Sequence, residues 1–191
     1  IDETTSTVED LLGIKIHHYV KVNFTTVRNL VDALGGIEVI SEYDFTAGPG
    51  YHYNQGSNYL NGDEALYFAR ERYSFSSGDN QRVKNQQAVI SGILNKATSS
   101  PAILTQYSSI LAALEDNLAI SLSQKEMSAL VKMQLDDMRG WDIETISLTG
   151  SGSYAETYSM PGMELYVMEP NHASIDVAKA AIADVMSEKA K

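Results

Sequence analysis

Apolar residues recur along this chain with two different spacings, and the alternation between them predicts mixed helix and sheet. Over residues 5–12, Val8, Leu11 and Leu12 share one helical face, and Gly13 stops the helix. Ile14, Ile16, His18, Val20 and Val22 then alternate with Lys15, His17, Tyr19, Lys21 and Asn23, which reads as a strand with one buried face. A helix carrying Val27, Leu30, Val31 and Leu34 follows, with Thr25 or Thr26 as its cap and Gly35-Gly36 as its end, ahead of a strand over 37–40. Strand, helix and strand in that order predict a parallel pair joined by a right-handed crossover.

The pattern breaks over residues 41–61. Gly48-Pro49-Gly50, Gly56 and Asn61-Gly62 mark turns, and Tyr43, Phe45, Tyr51, Tyr53 and Tyr59 fall among them. A long loop of this kind inside a domain is more often functional than idle. Beyond it, a short helix is expected over 62–69, then an extended Arg70-Glu71-Arg72-Tyr73 and a Ser/Gly turn through Gly78. Asp79 is placed to cap a long helix over 80–98, with Val83, Ile90, Leu94 and Ala97 on its apolar face. Pro101 suits the first turn of a helix over 101–115, and Ser123-Gln124-Lys125-Glu126 is a capping box ahead of Met127, Leu130, Val131 and Leu135. Ile143, Ile146 and Leu148 predict a strand, 165–168 another, and 174–187 a closing helix. No repeat, low-complexity tract or linker divides the chain, so residues 1–191 read as a single domain segment.

Composition narrows the function classes. With 43% hydrophobic residues and no cysteine, the chain can bury a core and is neither a disordered tail nor a disulfide scaffold. A formal charge of −11 argues against nucleic acid as a partner, because phosphates would meet net repulsion. No apolar run reaches the length of a spanning helix, and no signal peptide is present. The chain starts at Ile1 rather than Met, which reads as a piece of something longer.

Charge is also unevenly placed. Three of the five arginines, Arg70, Arg72 and Arg82, fall within thirteen residues. With Lys84, and against Glu71 and Asp79, they give residues 70–86 a charge of +2 and leave −13 on the remainder. In an extended segment Arg70 and Arg72 would project from one side. Arg82 and Gln86 lie four apart on the following helix, near an N-terminus where the dipole favours anions. If the turn over 74–79 folds the strand back on that helix start, three guanidinium forks and an amide converge on one pocket. A guanidinium fork matches phosphate oxygens, and a diphosphate is the natural ligand for such a set. Clusters of this kind also occur as solvated surface, Asp79 fits a helix cap as well as a catalytic group, and Gln86 fits a surface position.

Other chemistry is thinly represented. His17 and His18 fall on opposite strand faces, and His52 and His172 have no partner at ligand spacing, so no metal site is assigned in this segment. The seven methionines fit core filling or an apolar surface equally well. There is no Gly-rich phosphate loop, nucleophile elbow or zinc signature.

The run Leu60-Asn61-Gly62-Asp63-Glu64-Ala65-Leu66-Tyr67-Phe68-Ala69-Arg70-Glu71-Arg72, followed by Gly78-Asp79-Asn80-Gln81-Arg82 and Gln86, resembles the signature of the LytR-CpsA-Psr family. Tyr19-Val20-Lys21-Val22-Asn23-Phe24, Leu30-Val31-Asp32-Ala33-Leu34-Gly35-Gly36-Ile37-Glu38-Val39 and Gly162-Met163 are similar to it as well, so the resemblance spans essentially the whole chain. It implies an α/β (α+β) domain with a central mixed β-sheet flanked by helices, lacking its N-terminal strands. It also implies an extracytoplasmic, membrane-anchored phosphotransferase, mostly of Gram-positive bacteria, with the anchor absent from this chain. Such enzymes move a glycopolymer, whether teichoic acid, capsule or another secondary polysaccharide, from a polyprenyl-diphosphate carrier to peptidoglycan. In that reaction a muramic acid hydroxyl attacks the sugar-linked phosphorus and polyprenyl phosphate leaves. Position by position, Arg70, Arg72, Arg82 and Gln86 match the residues that grip the diphosphate. Asp79 matches an acidic residue that orients Arg82 or assists proton removal, which makes Asp79 and Arg82 the catalytic candidates.

The resemblance also implies magnesium, held by aspartates upstream of Ile1 together with a further arginine, and a carrier tail near the apolar residues between Val83 and Leu94. Family members often carry a basic residue where this chain has Asn85. The segment is expected to need its upstream part, covalently or as a companion chain, to cover its open sheet edge. Two rival readings remain at this point: a binding module for polyprenyl-linked glycans, and a polyprenyl-diphosphate hydrolase.

Overall fold

Residues 18–144 form one unit of the chain, and residues 1–17 together with 145–191 form a second. The computed structural model describes residues 1–112, 114 and 118–187. In chain order the elements are α1 (Asp2–Leu12), β1 (Val20–Val22), α2 (Phe24–Ala33), β2 (Ile37–Ser41), β3 (Phe45–Ala47), β4 (Tyr51–Tyr53), β5 (Gly56–Leu60), α3 (Gly62–Arg70) and α4 (Asp79–Ser99). They continue with α5 (Pro101–Thr105), α6 (Tyr107–Ala112), β6 (Leu118–Ile120), α7 (Gln124–Asp137), β7 (Gly150–Thr157), β8 (Met160–Pro170) and α8 (His172–Ser187). The mixed α/β class expected from the two periodicities is the one observed.

Strand pairing differs from the expected crossover. β1 and β2 do not pair: β1 runs antiparallel to β6, with Val20 opposite Ile120, and β2 runs antiparallel to β5, with Ile37 opposite Leu60. The strands described make four two-stranded sheets, the other two being β3–β4 and β7–β8. The alternation over residues 14–23 condenses to three exposed strand residues, and residues 14–19 have no regular structure. Likewise 138–149 carry no strand at Ile143 to Leu148. The helix expected over 101–115 is divided into α5 and α6, and its end at Glu115 lies outside the described residues.

The supposed loop over 41–61 is a nested pair of hairpins. β3 and β4 are joined by the Gly48-Pro49-Gly50 turn and lie, in sequence, between β2 and β5, which pair with each other. The strands are only three residues long, so their own ladder cannot hold them. Aromatic packing does: Phe45 stacks on Tyr53 at 4.8 Å between ring centroids, and Phe68 of α3 meets them at 5.5 and 5.3 Å. Tyr53 and Phe68 are almost wholly inaccessible to water, and the Tyr53 hydroxyl donates to the Glu64 carbonyl across 2.8 Å. Burial, with the nearby Glu64 carboxylate, pushes the Tyr53 hydroxyl well above its ordinary range, so it stays a donor. Val31, Leu34, Ile37, Val39, Ala47, Leu60, Ala65, Ala69 and Val89 join them in this core.

Caps fix where the helices start. Asn23, rather than Thr25 or Thr26, caps α2 by accepting from the Thr26 N–H at 2.8 Å. α3 and α7 both begin with reciprocal capping boxes, Asn61 with Glu64 and Ser123 with Glu126. α3 also starts against α2, where the Gly62 N–H donates to the Asp32 carboxylate at 2.7 Å. A Cβ on Gly62 would press into the Arg28 carbonyl and the Asp32 carboxylate, so only glycine allows this approach.

In the second unit, β7 and β8 form a long hairpin with Tyr154 opposite Tyr166, and α1 lies beside α8. Gly13 ends α1 in the left-handed region, with φ 67°, as the sequence predicts.

Two outcomes test this description. Gly62→Ala is expected to lower unfolding stability by about 2 kcal/mol through overpacking, measured by urea denaturation. Gly140→Ala, with open space at its Cβ, is the control and should change stability by less than about 0.5 kcal/mol. The second concerns Glu126, whose carboxyl is held below its ordinary value by the Ser123 hydroxyl, then by the Ser123 N–H, with a smaller pull from His18. A depressed carboxyl stabilises the fold above the unfolded chain's titration and loses that effect as pH falls through the folded value. Glu126→Gln should therefore melt below the unsubstituted chain at about pH 7, with the gap closing below about pH 4. A gap independent of pH would contradict it.

Candidate functional site

All five site residues expected from the sequence lie in the unit formed by 18–144, at the junction of α3 and α4. Arg70 is the last residue of α3, not part of an extended run. Its charge sits at the negative end of the helix dipole, and its guanidinium lies over the Phe24 ring at 4.9 Å from the centroid. The chain leaves the helix at Glu71, so Arg70 and Arg72 do not share the two-residue repeat of a strand.

Glu71 shapes what comes next. One of its carboxylate oxygens accepts from the backbone N–H groups of Tyr73 and Ser74, at 2.6 and 2.8 Å, and folds the chain into a turn. That turn sets Arg72 over the Tyr73 ring at 4.7 Å and lets its Nη2 donate to the Tyr73 hydroxyl at 2.6 Å. The Arg72 guanidinium is held above its ordinary value, first by this hydrogen bond and, among smaller effects, by the charge of Asp79.

Asp79 is the first residue of α4. It is not the cap: Gly78 holds that position, and no side chain caps the helix. Asp79 instead pairs with Arg82, one turn on, at 2.7 Å. Asp79 and Arg82 thus form one electrostatic group, and the Asp79 charge has a smaller influence on Arg72. The Nε of Arg82 is buried and has no hydrogen-bond partner, an orphan donor within a charged side chain. Gln86 is half-buried on the same helical face as Arg82. Arg70 is held by Phe24, separately from the Asp79 group.

The apolar face expected on α4 is wrong in detail. Val83 and Ile90 are exposed, and the buried positions are Gln81, Asn85, Val89 and Gly92. Asn85, the departure noted in the sequence, is therefore buried. Two aromatic partners of the arginines, Phe24 and Tyr73, are also new; adjacency to Arg72 could have pointed to Tyr73, whereas nothing local points to Phe24.

Residues 1–174 match the LytR_cpsA_psr family. The chain belongs to that family. It is 34% identical over 155 residues to a polyisoprenyl-teichoic acid–peptidoglycan teichoic acid transferase, TagU, of Bacillus cereus, covering 81% of this chain and 50% of the relative. It is 37% identical over 142 residues to the TagU of Enterococcus faecalis, covering 70% of this chain and 46% of that protein. This chain of the LytR_cpsA_psr family thus spans about half the length of the curated relatives it matches. Its fold superimposes on the crystal structure of B. subtilis TagU with a TM-score of 0.71 at 28% identity, covering all of this chain and 74% of that one.

Among the described residues no group of three or more His, Asp or Glu side chains comes together to hold a metal ion. None of their helices is long and apolar enough to cross a membrane.

Because Arg82 and Asp79 form a partly exposed pair, Arg82→Ala should change stability by less than about 1 kcal/mol and leave unfolding cooperative. Circular dichroism during urea titration measures this, and a loss of several kcal/mol would mark Arg82 as a structural residue instead.

Proposed function

We propose that this chain supplies the diphosphate grip of a glycopolymer phosphotransferase. The carrying observation is the α3–α4 junction, where Arg82 pairs with Asp79 and keeps a buried donor without a partner, with Arg72 in the turn that leads to it. The donor substrate is a polyprenyl-diphosphate-linked glycan, and the acceptor is peptidoglycan. Relatives named as teichoic acid transferases support teichoic acid as the polymer class; capsule and other secondary polysaccharides present the same diphosphate. Peptidoglycan lies outside the cytoplasm, which places the reaction there, on a membrane-anchored protein.

In this reading an acceptor hydroxyl of peptidoglycan forms a new P–O bond to the sugar-linked phosphorus. The bridging P–O bond breaks, polyprenyl monophosphate leaves with the bridging oxygen and the bonding pair, and the hydroxyl proton passes to solvent. Charge accumulates on the non-bridging oxygens and on the leaving phosphate, so neutralisation and positioning dominate. One guanidinium about 4 Å from a phosphate oxygen contributes roughly 4 kcal/mol at an effective dielectric of about 20, before desolvation. Arg70, Arg72 and Arg82 supply that charge, and Gln86 adds a neutral donor. Asp79 already accepts from Arg82, which supports an orienting role for it over proton removal. Magnesium would add further charge neutralisation, but the described residues do not form a site for it, and no step here is routed through it.

The experiment uses the intact protein with a polyprenyl-diphosphate glycan and peptidoglycan fragments. Arg82→Ala should lower release of polyprenyl monophosphate at least about a hundredfold. Unimpaired transfer by that variant would sink the assignment. Release without an acceptor would identify a hydrolase, and tight binding without release a binding module.

A further inference from the structure

Two amides occupy the buried face of α4 where aliphatic side chains would be expected. Gln81 and Asn85 are each 3% exposed and lie one helical turn apart. Asn85 Nδ2 donates to the carbonyl of Phe68 across 3.1 Å, and Gln81 Nε2 donates to Asn85 Oδ1 across 3.2 Å. Phe68 is two residues from the end of α3, where carbonyls lose their intrahelical partners. Within a longer helix the N–H of Arg72 would serve it, but α3 closes at Arg70 and Glu71 is already extended. Asn85 supplies the missing donor from the neighbouring helix. Gln81 fixes which way the Asn85 amide faces, because it engages the oxygen and leaves the nitrogen for Phe68.

The position of this chain of hydrogen bonds matters more than its strength. One residue along a helix is a rotation of about 100°, so Arg82 and Gln86 stand on the flank next to Gln81 and Asn85. Arg70 and Arg72 follow Phe68 by two and four residues. Both halves of the cationic set therefore hang from one hydrogen-bonded link. Apolar side chains at 81 and 85 could fill the same volume, but such contacts tolerate sliding, whereas a bond to one carbonyl has a single register.

We propose that the buried Gln81–Asn85 amide pair is a positioning device: it fixes the start of α4 against the end of α3 and so sets Arg82 and Gln86 relative to Arg70 and Arg72. This rests on reading those four side chains as a diphosphate grip. Asn85 and Gln81 touch no ligand themselves and act through the helices they join.

The chain has no cysteine, so spin labels attach only where cysteines are introduced. Labels at Asp63→Cys on α3 and Asn80→Cys on α4 report the separation of the two helices by pulsed electron spin resonance. Asn85→Ala is expected to broaden that distance distribution. It should also weaken binding of inorganic pyrophosphate to the folded chain at least about tenfold, the scale of loss that small misplacements produce. Gln81→Met keeps the side-chain length, removes only the bond to Asn85, and should shift both readouts less in the same direction; it carries the test if Asn85→Ala does not fold. A residue that merely adds stability would change the melting temperature and neither readout. Distances and pyrophosphate affinity that match the unsubstituted chain overturn the proposal. If the unsubstituted chain does not bind pyrophosphate, the diphosphate reading falls, and the distances alone decide the amide pair.

Discussion

Phe68 is where the unit of residues 18–144 is joined. Its ring closes the aromatic stack with Phe45 and Tyr53, which fastens the short β3–β4 hairpin to α3. Its carbonyl receives Asn85, which fastens α3 to α4. Hydrophobic burial and a buried hydrogen bond thus act through one residue on opposite sides, and each depends on the other. Without the stack α3 would lack a fixed seat, and without a donor the carbonyl would be desolvated and unpaired.

The cationic group is built with short-range means. An acidic residue accompanies both Arg72 and Arg82 closely: Glu71 bends the backbone that carries Arg72, and Asp79 holds Arg82. Neither carboxylate neutralises the whole set, since the local stretch retains its net positive charge within an acidic chain. Aromatic faces do the rest, with Phe24 under Arg70 and Tyr73 under Arg72. Rings orient guanidinium planes, and at Arg72 the Tyr73 hydroxyl also engages one edge donor.

Much of this was legible in the sequence, and most of the exceptions share a cause. Gly13 and Gly35-Gly36 read correctly as helix ends because a left-handed residue is a local requirement. Ser123 and Glu126 read correctly as a capping box for the same reason. The arginine cluster was visible in the charge arithmetic, although nothing local ties Arg70 to Phe24, 46 positions away in sequence. The errors are local in the caps, where Asn23 and Gly78 take the places expected for Thr25 or Thr26 and for Asp79, and non-local in the rest. β1 seeks β6 rather than β2, a partner that periodicity cannot name. The short strands of residues 41–61 look like turns because their stability comes from α3. The burial of Gln81 and Asn85 has no local signal, because it answers a vacancy at the end of a different helix.

The division of the chain into two units has a kinetic meaning. Residues 1–17 belong with residues 145–191, so along the sequence the unit of 18–144 interrupts the other. α1 and α8 can meet only after the intervening stretch has been traversed, and closing so long a loop carries an entropic cost that grows with its length. The central unit instead rests on partners closer along the chain, such as β2 with β5 and α3 with α4. Local contacts form faster than distant ones, which orders assembly from the inside outward. On a ribosome the order is stricter still: the central unit is complete while α8 has yet to be made, and α1 waits for it.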